Sequence, residues 1–338
     1  MELKVRFFNP GLIYKAHEEQ FDKAIKDVLT RGDLILRKDL EVFEAKFAEI
    51  LGVKYVVGVA SGTDALMLSL KALGIGEGDE VMVPSYTFRA TIEAVCNIGA
   101  KPMLYDIDGK VEFRAMTQAI IPAYIAGEVP PGAKDVIAKA RELGIAVVED
   151  ACQAVTAAPV LGDTACYSFY PAKILGCFGD GGAIATDNEE LYLKLKAMRN
   201  HFKGDWKPVG YNSRLDNLQA AVLNVALENL GENLKARMLV ARRYDAELLG
   251  GKKAEVRAVY QDYILELDDE EQRDALHTHL LEQGVETLKN EYPFPEVAPK
   301  LPGAVAYESR TLRLPCNQIL TDDEVGYVIN AVNSFFQK

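Results

Sequence analysis

Histidine and cysteine are both scarce in this chain: its 338 residues include four histidines and five cysteines, Cys96, Cys152, Cys166, Cys177 and Cys316. No two cysteines stand at the close spacing of a zinc-ligand or redox pair, and no histidine is placed to complete one, so no metal site is expected. Scattered thiols of this kind suit reduced cysteines and a cytoplasmic home better than a disulfide framework. Basic excess is missing as well. A formal net charge of −12 argues against a general nucleic-acid binder, although a local basic cluster can still take an anionic ligand. No apolar run approaches the length of a membrane span, and the opening MELKVRFFNP lacks the apolar core of a signal peptide. Internal repeats, low-complexity segments and long charged tails are absent too. The glycine cluster at 176–182 does not have GxGxxG spacing, which counts against a nicotinamide-binding dehydrogenase.

What the chain does have is a hydrophobic fraction of 49%, enough for a substantial core in one large or two moderate domains. Near the start, Phe21, Ala24, Ile25, Val28 and Leu29 form one apolar stripe at helical spacing, and Val42, Phe43, Ala45, Phe47, Ala48 and Leu51 another. Strand-like runs at 55–60, 80–84, 101–106, 119–124 and 144–150 then alternate with helical stretches at 65–70, 89–98 and 133–143. That alternation predicts an α/β protein with a mostly parallel sheet covered by helices on both faces. Residues 187–234 read as mostly helical, interrupted by a Gly- and Pro-bounded loop at 203–210. A boundary after Gly231 separates a large domain, 1–231, from a smaller C-terminal α/β domain, 232–338. The latter is predicted to hold helices at 234–249, 272–283 and 322–336 and a strand at 259–267.

Three stretches carry chemistry. The run CYSFYPAKILGCFGDGGAIA, at 166–185, sets Lys173 between an aromatic strand and a glycine cluster. A lysine held there in a dry pocket loses its charge more readily than one in water, and a neutral amine attacks carbonyl carbon. Taken alone, Lys173 reads more readily as a snorkelling surface residue. The run GIAVVED, at 144–150, is a buried strand closing on two carboxylates, and Asp150 occupies the end where α/β sheets place functional groups. Ser61-Gly62-Thr63, between a strand and a helix, presents free N–H groups, two hydroxyls and one glycine to an anion, or serves only as a helix cap.

Six blocks occur in an order that resembles the DegT/DnrJ/StrS family of nucleotide-sugar aminotransferases: Ser61-Gly62-Thr63, Pro84-Ser85-Tyr86-Thr87-Phe88, Glu149-Asp150-Ala151-Cys152-Gln153-Ala154, Ser168-Phe169-Tyr170-Pro171-Ala172-Lys173, Gly179-Asp180-Gly181-Gly182 and Gly210-Tyr211-Asn212-Ser213-Arg214. The similarity runs from about residue 18 to about residue 332 and weakens after 228. It implies the aspartate aminotransferase-like fold type I, with a seven-stranded sheet in the large domain, and pyridoxal 5'-phosphate (PLP/PMP) as cofactor. By the same resemblance, Lys173 forms the Schiff base and moves the proton, and Asp150 pairs with the pyridine nitrogen, a pairing that marks this cofactor in general. Ser61, Gly62, Thr63 and Ser168 take the phosphate, Phe88 stacks on the ring and Gln153 lies near the ring hydroxyl. Asn212 is implied to reach the phosphate held by a neighbouring subunit, hence a homodimer with shared active sites.

The substrates that the resemblance implies are an amino-acid donor, L-glutamate, and a keto sugar linked to a nucleotide, aminated for amino-sugar biosynthesis. Substrate contacts are expected from Tyr86, Tyr124, Arg214, Glu291 and Tyr292. Tyr124 and Glu291 stand where the family usually carries histidine, and the connections at 108–118 and 157–164 are short for it, so the departures cluster on the substrate side. Arg214 reads either as a planar fork for a carboxylate or phosphate or as an ordinary surface residue. The prolines around Phe294 make 292–295 a rigid turn that is a lid or local packing. Three other readings stay open on the same fold: a non-nucleotide or non-sugar substrate, a sugar dehydrase and a non-catalytic regulator. A dehydrase would carry histidine in place of Lys173, and a regulator would be expected to have lost Lys173 or Asp150.

Overall fold

The computed structural model describes residues 3–204, 208–253, 257–290, 294, 296 and 298–337. Three helices come first, α1 (Pro10–Ala16), α2 (Glu18–Arg31) and α3 (Lys38–Leu51). The predicted stripes bury Phe21 and Val28 of α2 and Phe43, Phe47 and Ala48 of α3; Leu40, outside the predicted stripe, is buried with them, and Ala45, inside it, is exposed. Leu29, one residue past Val28, is turned about 100° around the helix axis and is exposed. Gly32 and Gly52 end α2 and α3 in the left-handed conformation, where a Cβ would be strained.

The chain then alternates β1 (Tyr55–Val59), α4 (Gly62–Ala72), β2 (Glu80–Pro84), α5 (Arg89–Asn97), β3 (Lys101–Tyr105), β4 (Thr117–Ile120), α6 (Ala133–Glu142), β5 (Ala146–Asp150), β6 (Thr164–Ser168) and β7 (Gly182–Thr186). Among the described residues these strands make a seven-stranded sheet in the order β1-β7-β6-β5-β4-β2-β3. It is mostly parallel, as expected. The exception is β7, antiparallel to both β1 and β6, so that β1 and β6 run the same way with β7 between them. The C-terminal ends of β1, β2, β5 and β6 therefore share one edge, the edge at which such sheets bind ligands. Opposite Phe43 and Phe47, Tyr167 and Phe169 pack edge to face at 5.1–5.6 Å. Gly58 lets α3 approach β1: a Cβ there would lie 2.8 Å from Leu40.

After α7 (Glu189–Met198), α8 (Asn217–Glu228) and α9 (Leu230–Glu247), the remaining elements are β8 (Lys252–Lys253), β9 (Tyr263–Glu266), α10 (Glu270–Glu282), β10 (Leu288–Lys289), α11 (Pro302–Ser309), β11 (Thr311–Leu314) and α12 (Asp322–Phe336). The four strands form a second sheet, β10-β11-β9-β8. The helix predicted from 234 starts four residues earlier, at Leu230, so the expected boundary after Gly231 falls in the first turn of α9. The strand predicted at 259–267 is shorter. Residues 260 and 261 stay outside the ladder because their carbonyls accept from Arg237 and the Gln261 N–H donates to Ala126. Val5 pairs with Val285 and sits in the core of this second unit. No helix among the described residues is long and apolar enough to cross a membrane, and no cluster of His, Cys, Asp and Glu among them could hold a metal ion.

Candidate active site

Lys173 sits in a turn that leaves β6 and returns at β7. The Phe169 N–H donates to the Gly181 carbonyl and the Cys177 N–H to the Phe169 carbonyl, 2.8 Å each. A Cβ on Gly176 would strike the Pro171 carbonyl oxygen at 2.6 Å, so the turn closes only around glycine. From the second unit, Gln261 braces both sides of the lysine: its Nε2 donates to the Ala172 carbonyl at 2.8 Å and its Oε1 accepts from the Ile174 N–H at 3.0 Å. The Lys173 ammonium has no hydrogen-bond partner among the described residues. Burial lowers its pKa below the ordinary lysine value, against opposing pulls from Cys152, Asp262 and Asp150.

Lys173 lines two adjoining chambers. The inner one, about 240 Å³, is walled by the first residues of α4, by Phe88, Tyr124 and Gln153, and by Asp150, Cys152, Ser168 and Tyr170. Ser61 caps α4 by accepting from the Asp64 N–H at 3.1 Å, and Ser213 holds Asp64 in turn with a 2.6 Å hydroxyl bond. Gly62 sits where a Cβ would lie 2.8 Å from both Cys152 Sγ and Ser168 Cβ. The helix start is thus pressed against the end of β6, with its N–H groups and hydroxyls at one end of the chamber.

Asp150 lies at the end of β5. Its Oδ2 accepts from Thr91 Oγ1 at 2.7 Å and its Oδ1 from the Cys152 N–H at 3.2 Å, while Thr87 holds Thr91 at 2.8 Å. A buried carboxylate anchored on both oxygens stays in one orientation. Beside it, Tyr124 donates to Glu149 Oε2 at 2.5 Å, and Glu149 also accepts from the backbone of Leu161 and Gly162. Burial and that carboxylate push the Tyr124 phenol well above its usual pKa. Tyr124 therefore serves as a fixed neutral wall. Gln153 Oε1 accepts from the Ala126 N–H at 2.9 Å.

The outer chamber, about 370 Å³, lies between the two sheets and adds Phe7, Phe8, Arg237, Asp262, Glu286, Arg313 and Asn317. Arg313 pairs with Asp262 at 2.6 Å and donates to Asn290, both partners buried.

Of the residues singled out in the sequence, Ser61, Gly62, Thr63, Phe88, Asp150, Gln153, Ser168, Lys173 and Tyr124 meet in the inner chamber. Tyr86 does not line it, because its hydroxyl is taken by Asn290 and its ring packs on Tyr307 at 5.1 Å. Asn212 and Arg214 also stand away from it: Asn212 is exposed and bridges to Asn200, whose side chain accepts from Arg214 at 2.9 Å. Glu291 and Tyr292 fall outside the described residues. Sequence reading missed Thr91, Gln261, Arg237, Asp262, Arg313, Phe7 and Phe8. Only Thr91 had a signal, as the hydroxyl one turn after Thr87 at the start of α5.

The inner chamber fits a small phosphorylated aromatic ring. It has a helix start for the anion, an exposed aromatic face in Phe88, a fixed carboxylate and an amine without a hydrogen-bond partner among the described residues. The model of the DegT/DnrJ/EryC1/StrS aminotransferase family matches residues 15–333. The chain belongs to that family. This family member is a PLP-dependent aminotransferase. It is 35% identical to UDP-N-acetyl-3-dehydro-alpha-D-glucosamine 3-aminotransferase of Acidithiobacillus ferrooxidans, over 91% of each chain. It is also 36% identical to dTDP-3-amino-3,4,6-trideoxy-alpha-D-glucose transaminase of Streptomyces venezuelae, over 99% of this chain and 97% of that one. Among solved structures, S. venezuelae DesV in complex with a ketimine intermediate matches all of both chains with a TM-score of 0.89 at 33% identity. NtdA of Bacillus subtilis with bound PMP matches with a TM-score of 0.92 at 29% identity, over 100% of this chain and 86% of that one.

Proposed function

We propose that this aminotransferase takes the amino group of an amino acid, L-glutamate, and delivers it to a keto sugar carried on a nucleotide. The observation that carries the reading is Lys173. Its amine has no hydrogen-bond partner among the described residues and sits between the α4 cradle and Asp150, at the junction of a cofactor-sized chamber with a second one. When bound, the cofactor supplies an electron sink that lets a C–H bond next to nitrogen be broken. The N–H groups of Gly62 and Thr63 and the hydroxyls of Ser61 and Ser168 hold its phosphate, and Phe88 covers its ring. Asp150, held by Thr91 and Cys152, keeps a proton on the ring nitrogen by favouring the cation. Gln153 presents its amide nitrogen to the ring hydroxyl, its oxygen being engaged by Ala126. Lys173, its pKa lowered by burial, takes and returns the proton at its Nζ.

The sugar nucleotides in the names of the UDP- and dTDP-linked relatives support the acceptor class. We read the chain as two domains, 1–231 and 232–338, with the outer chamber between them. We also read it as a homodimer in the cytoplasm, in which Asn212 completes the partner's phosphate site. The exposed position of Asn212, outside its own chain's chamber, and the five free thiols support this. The decisive measurement is product formation from L-glutamate with a panel of UDP- and dTDP-linked keto sugars. Turnover with none of them, by protein that absorbs as PLP-loaded, would refute the acceptor class. For the shared site, Lys173→Ala and Asn212→Ala chains are co-refolded. Mixed dimers regain part of the activity if one site collects both defects, and regain none if each site is built within one chain.

A further inference from the structure

Five arginines of the chain are buried: Arg199, Arg237, Arg257, Arg273 and Arg313. Four have a carboxylate within ion-pair distance: Glu44 for Arg199, Glu128 for Arg257, Glu270 and Asp274 for Arg273, and Asp262 for Arg313. Arg237 has none among the described residues. It is 1% exposed and, among the described residues, is held only by neutral acceptors. Its Nε donates to Gln318 at 2.9 Å, and its Nη1 to the carbonyls of Tyr260, Gln261 and Cys316 at 3.2, 2.9 and 2.8 Å. Nη2 is left without a partner among the described residues, and the side chain lines the outer chamber beside Lys173. A largely buried arginine without a counter-charge is costly to the fold, and the cost is relieved when an anion arrives.

We propose that Arg237 is a substrate-binding residue, whose free Nη2 takes an oxyanion of the substrate in the outer chamber. This rests on the aminotransferase reading above and goes beyond it by assigning the residue. Two substrate oxyanions share that chemistry, the carboxylate of the amino donor and the phosphate of the nucleotide. Arg313 is not the candidate, because Asp262 and Asn290 already occupy its fork. Glu286, also on the chamber wall, accepts from the Phe7 N–H and disfavours a second anion on its own side, which leaves the Arg237 side for the ligand.

The experiment uses the cofactor-loaded protein. Glutarate serves as an unreactive probe for the donor carboxylate and dTDP as a probe for the nucleotide phosphate, each titrated calorimetrically against the wild type and Arg237→Met. A fall in glutarate affinity of about tenfold or more, with a matching rise in KM for glutamate and unchanged dTDP binding, assigns the carboxylate. The same fall confined to dTDP assigns the phosphate. If neither affinity changes and only kcat drops, Arg237 is a strut that holds Gln261 behind Lys173, and the proposal is overturned. Should Arg237→Met fail to fold, a crystal structure of the wild type with glutarate or dTDP decides: an oxyanion within hydrogen-bond distance of Nη2 supports the assignment, and both probes bound elsewhere overturn it. Failure of the aminotransferase reading would show separately, as a wild type that takes up the cofactor but does not respond to glutamate.

Discussion

The two chambers that meet at Lys173 are built in different ways. The inner one is made of short runs at strand ends on one sheet edge, 61–63, 150–153 and 168–173, each of which carries two or more of the lining residues. The outer one draws Phe7 and Phe8 from the start of the chain and Arg237, Asp262, Glu286, Arg313 and Asn317 from beyond α8; Arg313 pairs with Asp262 across that distance, while Arg237 has no carboxylate partner among the described residues. A wall assembled from local runs is written as motifs, whereas a wall assembled by tertiary packing leaves single charged residues with no pattern around them. That is why the cofactor side could be read before the substrate side.

The strongest test of this contrast removes the amine that both chambers share. Lys173→Ala should abolish transamination, and borohydride treatment of loaded wild-type protein should leave the cofactor's mass on the peptide carrying Lys173. Recovery of that mass on another lysine would reassign the amine. Because burial lowers the Lys173 pKa from the ordinary 10.5, its neutral form is populated at lower pH than for a free lysine. The rate of cofactor capture, followed by absorbance, should therefore rise with pH along a curve whose midpoint lies below 10.5. A midpoint at or above that value would contradict the effect of burial.

Next in size is Asp150→Asn, an inner-wall change that keeps the shape and deletes the charge. Turnover should fall by orders of magnitude, each ~1.4 kcal/mol of lost transition-state stabilisation being tenfold, while cofactor is still retained. Near-wild-type rates would leave Asp150 a structural role only. On the outer wall the corresponding change acts on stability first. Arg313→Met strips Asp262 of its buried partner and should cost about 3–5 kcal/mol of unfolding free energy. Adding Asp262→Leu should recover part of this in a denaturant titration, and no recovery would show that the pair is not the unit.

The smallest expected effect is at Thr91. Thr91→Val deletes one hydrogen bond to the Asp150 carboxylate, for a loss of about 1.5–3 kcal/mol. It should appear as a slower proton-transfer step and a shifted absorbance titration of the bound cofactor, with Thr91→Ser restoring both. A variant changed only in thermal stability would make Thr91 a packing residue.

The α/β class and the mostly parallel sheet were legible because periodic strands and amphipathic helices follow one another over the first two hundred residues. β8, β10 and β11 were not, since two to four residues carry no usable period. Tyr124 was noticed as a departure, but its bond to Glu149 depends on Ala123 pairing with Asp150 at the end of β5. Gln261 is less legible still. Nothing in Tyr-Gln-Asp announces a side chain that clamps both neighbours of Lys173 from the segment ahead of β9.

The pairing of Val5 with Val285 has a consequence for how the molecule comes into being. A chain emerging from the ribosome can pair β1 to β7 as soon as residue 186 is free, because β7 is the wedge that joins β1 to β6, while Ser213 and Gln261 have still to fix Asp64 and the turn of Lys173. Phe7 and Phe8 must wait for the chain beyond residue 285 before they settle, and closing so wide a loop is entropically slow. The first sheet should therefore form before the wall that meets the substrate, and a ribosome-stalled chain ending near residue 250 would carry that sheet without the brace that Gln261 sets behind Lys173.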